Sequence, residues 1–160
     1  MPDLAEKLQT AGMSRPIRLA ARGIVLHDTR LLLVNAYGNR TDLWCAPGGG
    51  AEAHASLPEN LAREIHEETG LTVTVGAPCL VNEFHDPDHD YHQVEVFFRC
   101  TLISGTLDPA WQDPEQIVKH RRWVSRAEMG TMTVRPKSLA AVAWRDADAP
   151  TYDPLERILP

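Results

Sequence analysis

At 160 residues, 43% apolar and 24% charged, the chain is long enough for one domain with a buried core and too apolar to stay disordered. Its net charge of −6 argues against nucleic acid held by a basic surface, and no apolar run approaches the roughly 18 residues of a membrane span. Cys45, Cys79 and Cys100 are odd in number and form no CxxC pair, and the first residues lack the apolar core of a secretory signal. Reduced thiols in a cytoplasmic protein are expected.

Residues 1–16 read as an N-terminal extension, with a short helix over Asp3–Gln9 that could pack on the domain or on a second copy in a homodimer. Ile17 to His27 alternates in the manner of a strand, Asp28-Thr29 is a turn, and Arg30 to Ala36 returns as a second strand. The run Leu31–Val34 predicts burial on both faces. Leu43 to Pro47 is a short extended stretch, followed by Gly48-Gly49-Gly50, whose backbone can approach a ligand closely. Ser56 with Glu59 forms a capping-box pattern, Pro58 falls in the first turn and Gly70 supplies the stop, so a helix is predicted over Leu57–Thr69. Leu71–Glu83 and Tyr91–Leu102 read as a hairpin-like strand pair around the polar loop His85–Asp90, with Val94, Val96 and Phe98 on one face. After a loop over Ser104–Pro114 come a strand at His120–Ser125, a helical turn at Ala127–Met129 and a helix at Ser138–Trp144; the tail 146–160, with Pro150, Pro154 and Pro160, reads as irregular. The order predicts one α/β domain over 17–145, a mixed β-sheet sandwiched between α-helices.

The chemistry concentrates on the central helix. Glu64, Glu67 and Glu68 stand at i, i+3 and i+4, side by side on one helix face, where like charges repel. They adjoin an apolar sector of Leu57, Leu61, Ala62 and Ile65, which places them at the rim of a groove beside the core. Oxygen-only clusters favour hard cations such as Mg²⁺ or Mn²⁺ over zinc, and such ions commonly meet substrate phosphates. The residues alone therefore suggest metal-assisted hydrolysis at phosphorus; the competing reading is a solvated acidic helix face. The His-bearing loop 85–92 is a second, weaker metal candidate or simply a polar loop. Cys45 reads as a small buried hydrophobe, since no base is implied near it.

Gly49 and the run Arg63-Glu64-Ile65-His66-Glu67-Glu68-Thr69-Gly70-Leu71 resemble the signature of the Nudix hydrolase superfamily: glycine, five residues, glutamate, seven residues, then Arg-Glu-aliphatic-x-Glu-Glu-x-Gly-aliphatic. The pattern breaks where its first glutamate should fall, at Ala55. The resemblance implies a Nudix-like fold, Mg²⁺ or Mn²⁺ held by Glu64, Glu67, Glu68 and the Gly49 carbonyl, and Arg63 orienting the carboxylates. By the same likeness Glu115, in the loop before the Trp123 strand, would join the metal or act as base. Glu52 or Glu59 would compensate for Ala55. Substrate contacts are expected from Arg22, Trp44 and Gly48, although Arg22 reads equally as an ordinary strand arginine. Trp44, Phe84 and Tyr91 either stack on a base or pack. The implied reaction is cleavage of a nucleoside diphosphate linked to another moiety, a small-molecule nucleotide substrate. Pro87, sixteen residues beyond Leu71, resembles a marker of ADP-ribose pyrophosphatases, with nucleoside triphosphates as the other candidates. The alternative from another class is a Nudix-fold module that binds a nucleotide without cleaving it, which Ala55 favours.

Overall fold

The computed structural model describes residues 15–37, 40–145 and 149–158; the helix expected at Asp3–Gln9 lies outside them. Strands β1 (Arg18–His27), β2 (Arg30–Asn35), β3 (Leu43–Cys45) and β4 (Gly48–Gly50) precede helix α1 (Leu57–Thr69). Strand β5 (Thr72–Asp86), a 3₁₀ turn (Pro87–His89) and β6 (Tyr91–Ser104) follow. The chain then runs through β7 (Arg121–Val124), α2 (Arg126–Met129), β8 (Thr133–Val134), α3 (Leu139–Ala143), β9 (Thr151–Tyr152) and β10 (Glu156–Arg157). The sheet runs β10-β5-β6-β1-β2-β3-β8, with β4 paired to β1, β7 to β2 and β9 to β5. It is mixed: β5 and β6 are antiparallel, whereas β1 and β6 pair in parallel from Arg18↔Gln93 to Val25↔Cys100.

The sheet separates two apolar layers. On one side Ala21, Val25, Leu32, Val73 and Phe98 pack under α1 through Leu61 and Ile65, both fully buried. On the other side Ile24, Leu31, Leu33, Leu80 and Phe97 pack against α2 and α3 through Met129, Leu139 and Val142. The apolar run of β2 is buried on both faces, as its composition requires. Helix α1 begins and ends where its caps dictate. Ser56 and Glu59 complete a reciprocal capping box, and Gly70 closes the helix at φ +75°, a left-handed conformation costly for any residue with a Cβ.

Two differences from the sequence-based expectation bear on the site. The glycine run Gly48–Gly50 forms a strand of its own, in register with Arg22, Ala21 and Ala20 of β1. The tail is not irregular, because β9 and β10 pair in parallel with β5 at Leu80↔Thr151 and Phe84↔Glu156. Its backbone follows that edge further, with Asp153 N–H donating to Val81 and Ile158 N–H to His85. No helix among the described residues is long and apolar enough to cross a membrane.

Candidate active site

The helical spacing and the β4 strand together build an acidic corner. Glu64 and Glu68 project from α1 under β4 and are 7% and 8% exposed, deeper than the groove rim the sequence suggested. The Glu64 carboxylate lies so close to Gly49 that a Cβ there would sit 2.8 Å from its Cδ, so glycine at 49 makes room for the acid. The Gly48 N–H donates to Glu68 Oε2 at 3.1 Å. Burial pushes the Glu68 carboxyl up to about 8, against the opposing pull of Arg22 and the Gly48 N–H. Glu64 is also raised, by burial and then by Glu115, with Arg63 opposing.

Glu115 arrives from a different part of the chain. Asp113, 5% exposed, accepts the N–H groups of Glu115, Ile117 and Val118 and folds this loop into a tight bend. The buried Asn35 at the end of β2 pins the far side, accepting from Lys119 and His120 and donating to the Ile117 carbonyl. The result sets carboxylate oxygens of Glu64, Glu67 and Glu115 within 4.8 Å of one another. Three hard oxygen donors at that spacing fit a hard divalent cation with positions left for water or phosphate. Glu68 is not part of this trio.

Arg63 organises the outer side of the corner. Its guanidinium reaches Glu67 at 3.1 Å, Glu64 at 3.3 Å and Glu52 at 3.3 Å. Glu52 thus pairs with Arg63 in the stretch that carries Ala55, while Glu59 is occupied in the helix cap. Asn60, 2% exposed, holds that stretch down by donating to the Ala55 and Ser56 carbonyls and accepting from the Glu52 N–H. The last turn of α1 is fixed from outside as well, by Trp111 Nε1 on the Glu67 carbonyl at 2.8 Å and Arg121 Nε on the Glu68 carbonyl.

The other expected contacts fall differently. Arg22 lines the cavity beside the corner, but its Nε is held by Glu95 at 2.5 Å and its NH1 by the Gly48 carbonyl at 3.1 Å. It ties β1 to β4 and β6 through a buried ion pair. Trp44 turns into the core, because its neighbours Leu43 and Cys45 take the cavity-facing positions of β3. The Cys45 thiol is pushed up to about 12 by burial and stays neutral. His85, His89 and His92 do not gather into a metal cluster; His89 pairs with Asp86 at 2.7 Å and His92 lies 3.5 Å from Glu83.

From the acidic corner a cavity of about 920 Å³ runs over the β1, β5 and β6 face, past Gly48 to Phe84 and Tyr91. Asp113, Asn35, Asn60, Trp111 and Arg121 are not singled out by the sequence: Asp113 and Trp111 are lone residues of a loop, and Asn35, Asn60 and Arg121 are single polar positions in β2, α1 and β7 that break no period.

A family model described as NUDIX domain matches residues 17–145. The chain belongs to the NUDIX hydrolase family. The ADP-ribose pyrophosphatase of Methanocaldococcus jannaschii is 33% identical over 92 residues, 56% of this chain and 53% of that protein. The chain spans about half the length of the curated relatives it matches. Among solved structures, a UDP-X diphosphatase superposes with a TM-score of 0.66 at 21% identity, covering 95% of this chain and 73% of the other. A MutT NUDIX hydrolase from Burkholderia pseudomallei gives 0.68 at 17% identity, covering 82% and 100%. At such identities these two establish the fold.

Proposed function

We propose that this NUDIX hydrolase is a metal-dependent pyrophosphohydrolase that cleaves a nucleoside diphosphate joined to a second moiety, of ADP-ribose type, by attack of water at phosphorus. The observation that carries the reading is the Glu64, Glu67 and Glu115 trio at one end of a cavity with room for a substrate of that size. The name of the Methanocaldococcus relative supports the substrate class. Glu64, Glu67 and Glu115 would hold Mg²⁺ or Mn²⁺, which when bound neutralises charge on the phosphate and makes water a stronger acid. Arg63 keeps Glu64 and Glu67 at their separation despite their repulsion. Glu68, out of the trio, fixes Gly48 and with it the backbone beside the metal site. A cytoplasmic location and a small-molecule substrate go with this reading.

The test is a hydrolysis panel of ADP-ribose, nucleoside diphosphate sugars and nucleoside triphosphates with Mg²⁺ and with Mn²⁺, on the wild type and on Glu67→Gln. Turnover of a diphosphate-linked substrate that is lost in the variant and in chelator is the expected result. Full turnover in Glu67→Gln sinks the metal assignment. Nucleotide binding without turnover of any substrate would favour the binding-module alternative that Ala55 raises.

A further inference from the structure

The matched family domain ends at residue 145, yet the cavity does not. Its outer wall is made by Glu156, Arg157 and Ile158 of the tail, laid along β5 by the register Phe84↔Glu156 and His85↔Arg157. Side chains tie the strap down as well: Ser138 donates to Asp153 at 2.5 Å and the Tyr152 hydroxyl to Glu83. Arg157 itself is loosely held, 3.6 Å from Asp88 with both side chains mostly exposed, so its guanidinium can turn to a ligand at little cost.

The floor beneath the strap has polar capacity to spare. Asn82, 4% exposed and lining the cavity, gives its amide N–H to Glu95 Oε1 at 3.3 Å, and its Oδ1 is buried with no hydrogen-bond partner. An acceptor so placed is costly unless something donates to it. The neighbouring Gln93, 1% exposed, accepts from Arg18 at 2.5 Å and from the Tyr91 hydroxyl at 2.5 Å, so its own amide N–H is a donor not committed to any described residue. Beside them the Phe84 and Tyr91 rings stack at 6.1 Å and line the same cavity. A spare acceptor next to a spare donor, flanked by an aromatic surface, a carboxylate and an arginine, suits a hydroxylated ring: each hydroxyl both donates and accepts, and the ring's C–H face rests on the aromatic pair.

We propose that the C-terminal strap Thr151–Ile158 closes a subsite, floored by Asn82 and Gln93 and walled by Glu156 and Arg157, that takes the hydroxylated, sugar-type moiety beyond the diphosphate. This rests on the pyrophosphohydrolase reading for its orientation, with the phosphates toward the glutamate trio. It makes the strap, and not the family domain alone, the part of the chain that separates diphosphate sugars from nucleoside triphosphates.

The test measures kcat and KM for ADP-ribose and for ATP in the wild type, Asn82→Leu and Arg157→Ala, together with calorimetric binding of ribose 5-phosphate and of AMP. Each variant should lower the ratio of kcat/KM for ADP-ribose to that for ATP by about ten-fold, the size of one lost hydrogen bond, with the loss falling in KM. Ribose 5-phosphate affinity should fall by a similar factor. Equal losses on both substrates in both variants would mean a structural role and overturn the proposal. An affinity for AMP that falls while that for ribose 5-phosphate holds would place a base in the subsite and overturn it too. If the wild type cleaves nothing, the pyrophosphohydrolase reading fails, and ribose 5-phosphate binding then decides the subsite: weakening in both variants supports it, no binding or no change overturns it. Arg157 is exposed, so its variant reports even if the buried Asn82 substitution disturbs folding.

Discussion

Carboxylates line both ends of the cavity, but they are neutralised differently. At the helix end Glu64 and Glu67 share Arg63, and Glu115 has no ion-pair partner among the described residues. Burial and mutual repulsion raise Glu64 and push Glu68 to about 8. At the outer end two of the acids are paired: the hydrogen bond from His89 holds the Asp86 carboxyl below its usual range, and Arg157 faces Asp88. Between the ends Glu95 is bound to Arg22. On the proposed reading, acids crowded against one another are left for an external cation, whereas acids already paired need none.

The contrast is broken most sharply by charge removal. Glu64→Gln or Glu67→Gln should lower kcat by about a hundred-fold or more. Asp86→Asn, at the paired end, should change it by no more than about three-fold. A phosphate-release assay at saturating Mg²⁺ measures both, and comparable losses at the two ends would erase the distinction.

Stability gives the next largest effect. A carboxyl whose folded value lies above its ordinary one favours the fold in its protonated form. That contribution is complete below the ordinary value of 4.5 and is lost as pH rises through about 8. In chelator the protein should therefore melt lower at pH 8 than at pH 5.5, with Glu64 adding in the same direction. The difference is on the order of a few kcal/mol, each worth about 2–4 °C in a chain of this size. Adding Mg²⁺ at pH 8 should recover most of it, and Glu68→Gln should flatten the dependence. A melting temperature in chelator that rises from pH 5.5 to 8 would contradict the crowding of the helix end.

The two ends also differ in how legibly the sequence encodes them. The helix end is local: capping residues fix where α1 starts and stops, and the i, i+3, i+4 spacing puts the glutamates on one face. Glu115 is a candidate only through the family likeness, from its place in the loop before the Trp123 strand. What brings it to the trio is Asp113 and Asn35, whose bonds to loop N–H groups leave no pattern in the sequence. The outer end is non-local. Alternation along β6 shows two faces but not which is covered, and Val94 and Val96 look like the buried one. In the structure Gln93 and Glu95 are 1% and 5% exposed, more covered than those valines, because the cavity walls rise over the polar face. Trp44 misled for a related reason, since a three-residue strand gives too few alternations to tell core from cavity. The strap was hidden by its own prolines and by parallel pairing with a strand some seventy residues earlier.

The smallest predicted effect concerns the departure from the family pattern at Ala55. Beyond Glu64 and Glu67, Arg63 reaches a third carboxylate, Glu52, at 3.3 Å from a stretch clamped by Asn60. The Glu52 side chain is 69% exposed, so the pair is worth little in stability. Its effect is one of aim, because Arg63 also holds Glu64 and Glu67. Glu52→Ala should therefore lower kcat by about two- to five-fold with KM and melting temperature little changed. Placing Glu at position 55 in that variant should restore the rate if the two positions serve the same arginine, and should do nothing when Arg63 is replaced by Ala. Rescue that persists without Arg63 would show that a carboxylate at 55 acts on the metal site directly, and Glu52 would then be a surface residue beside it.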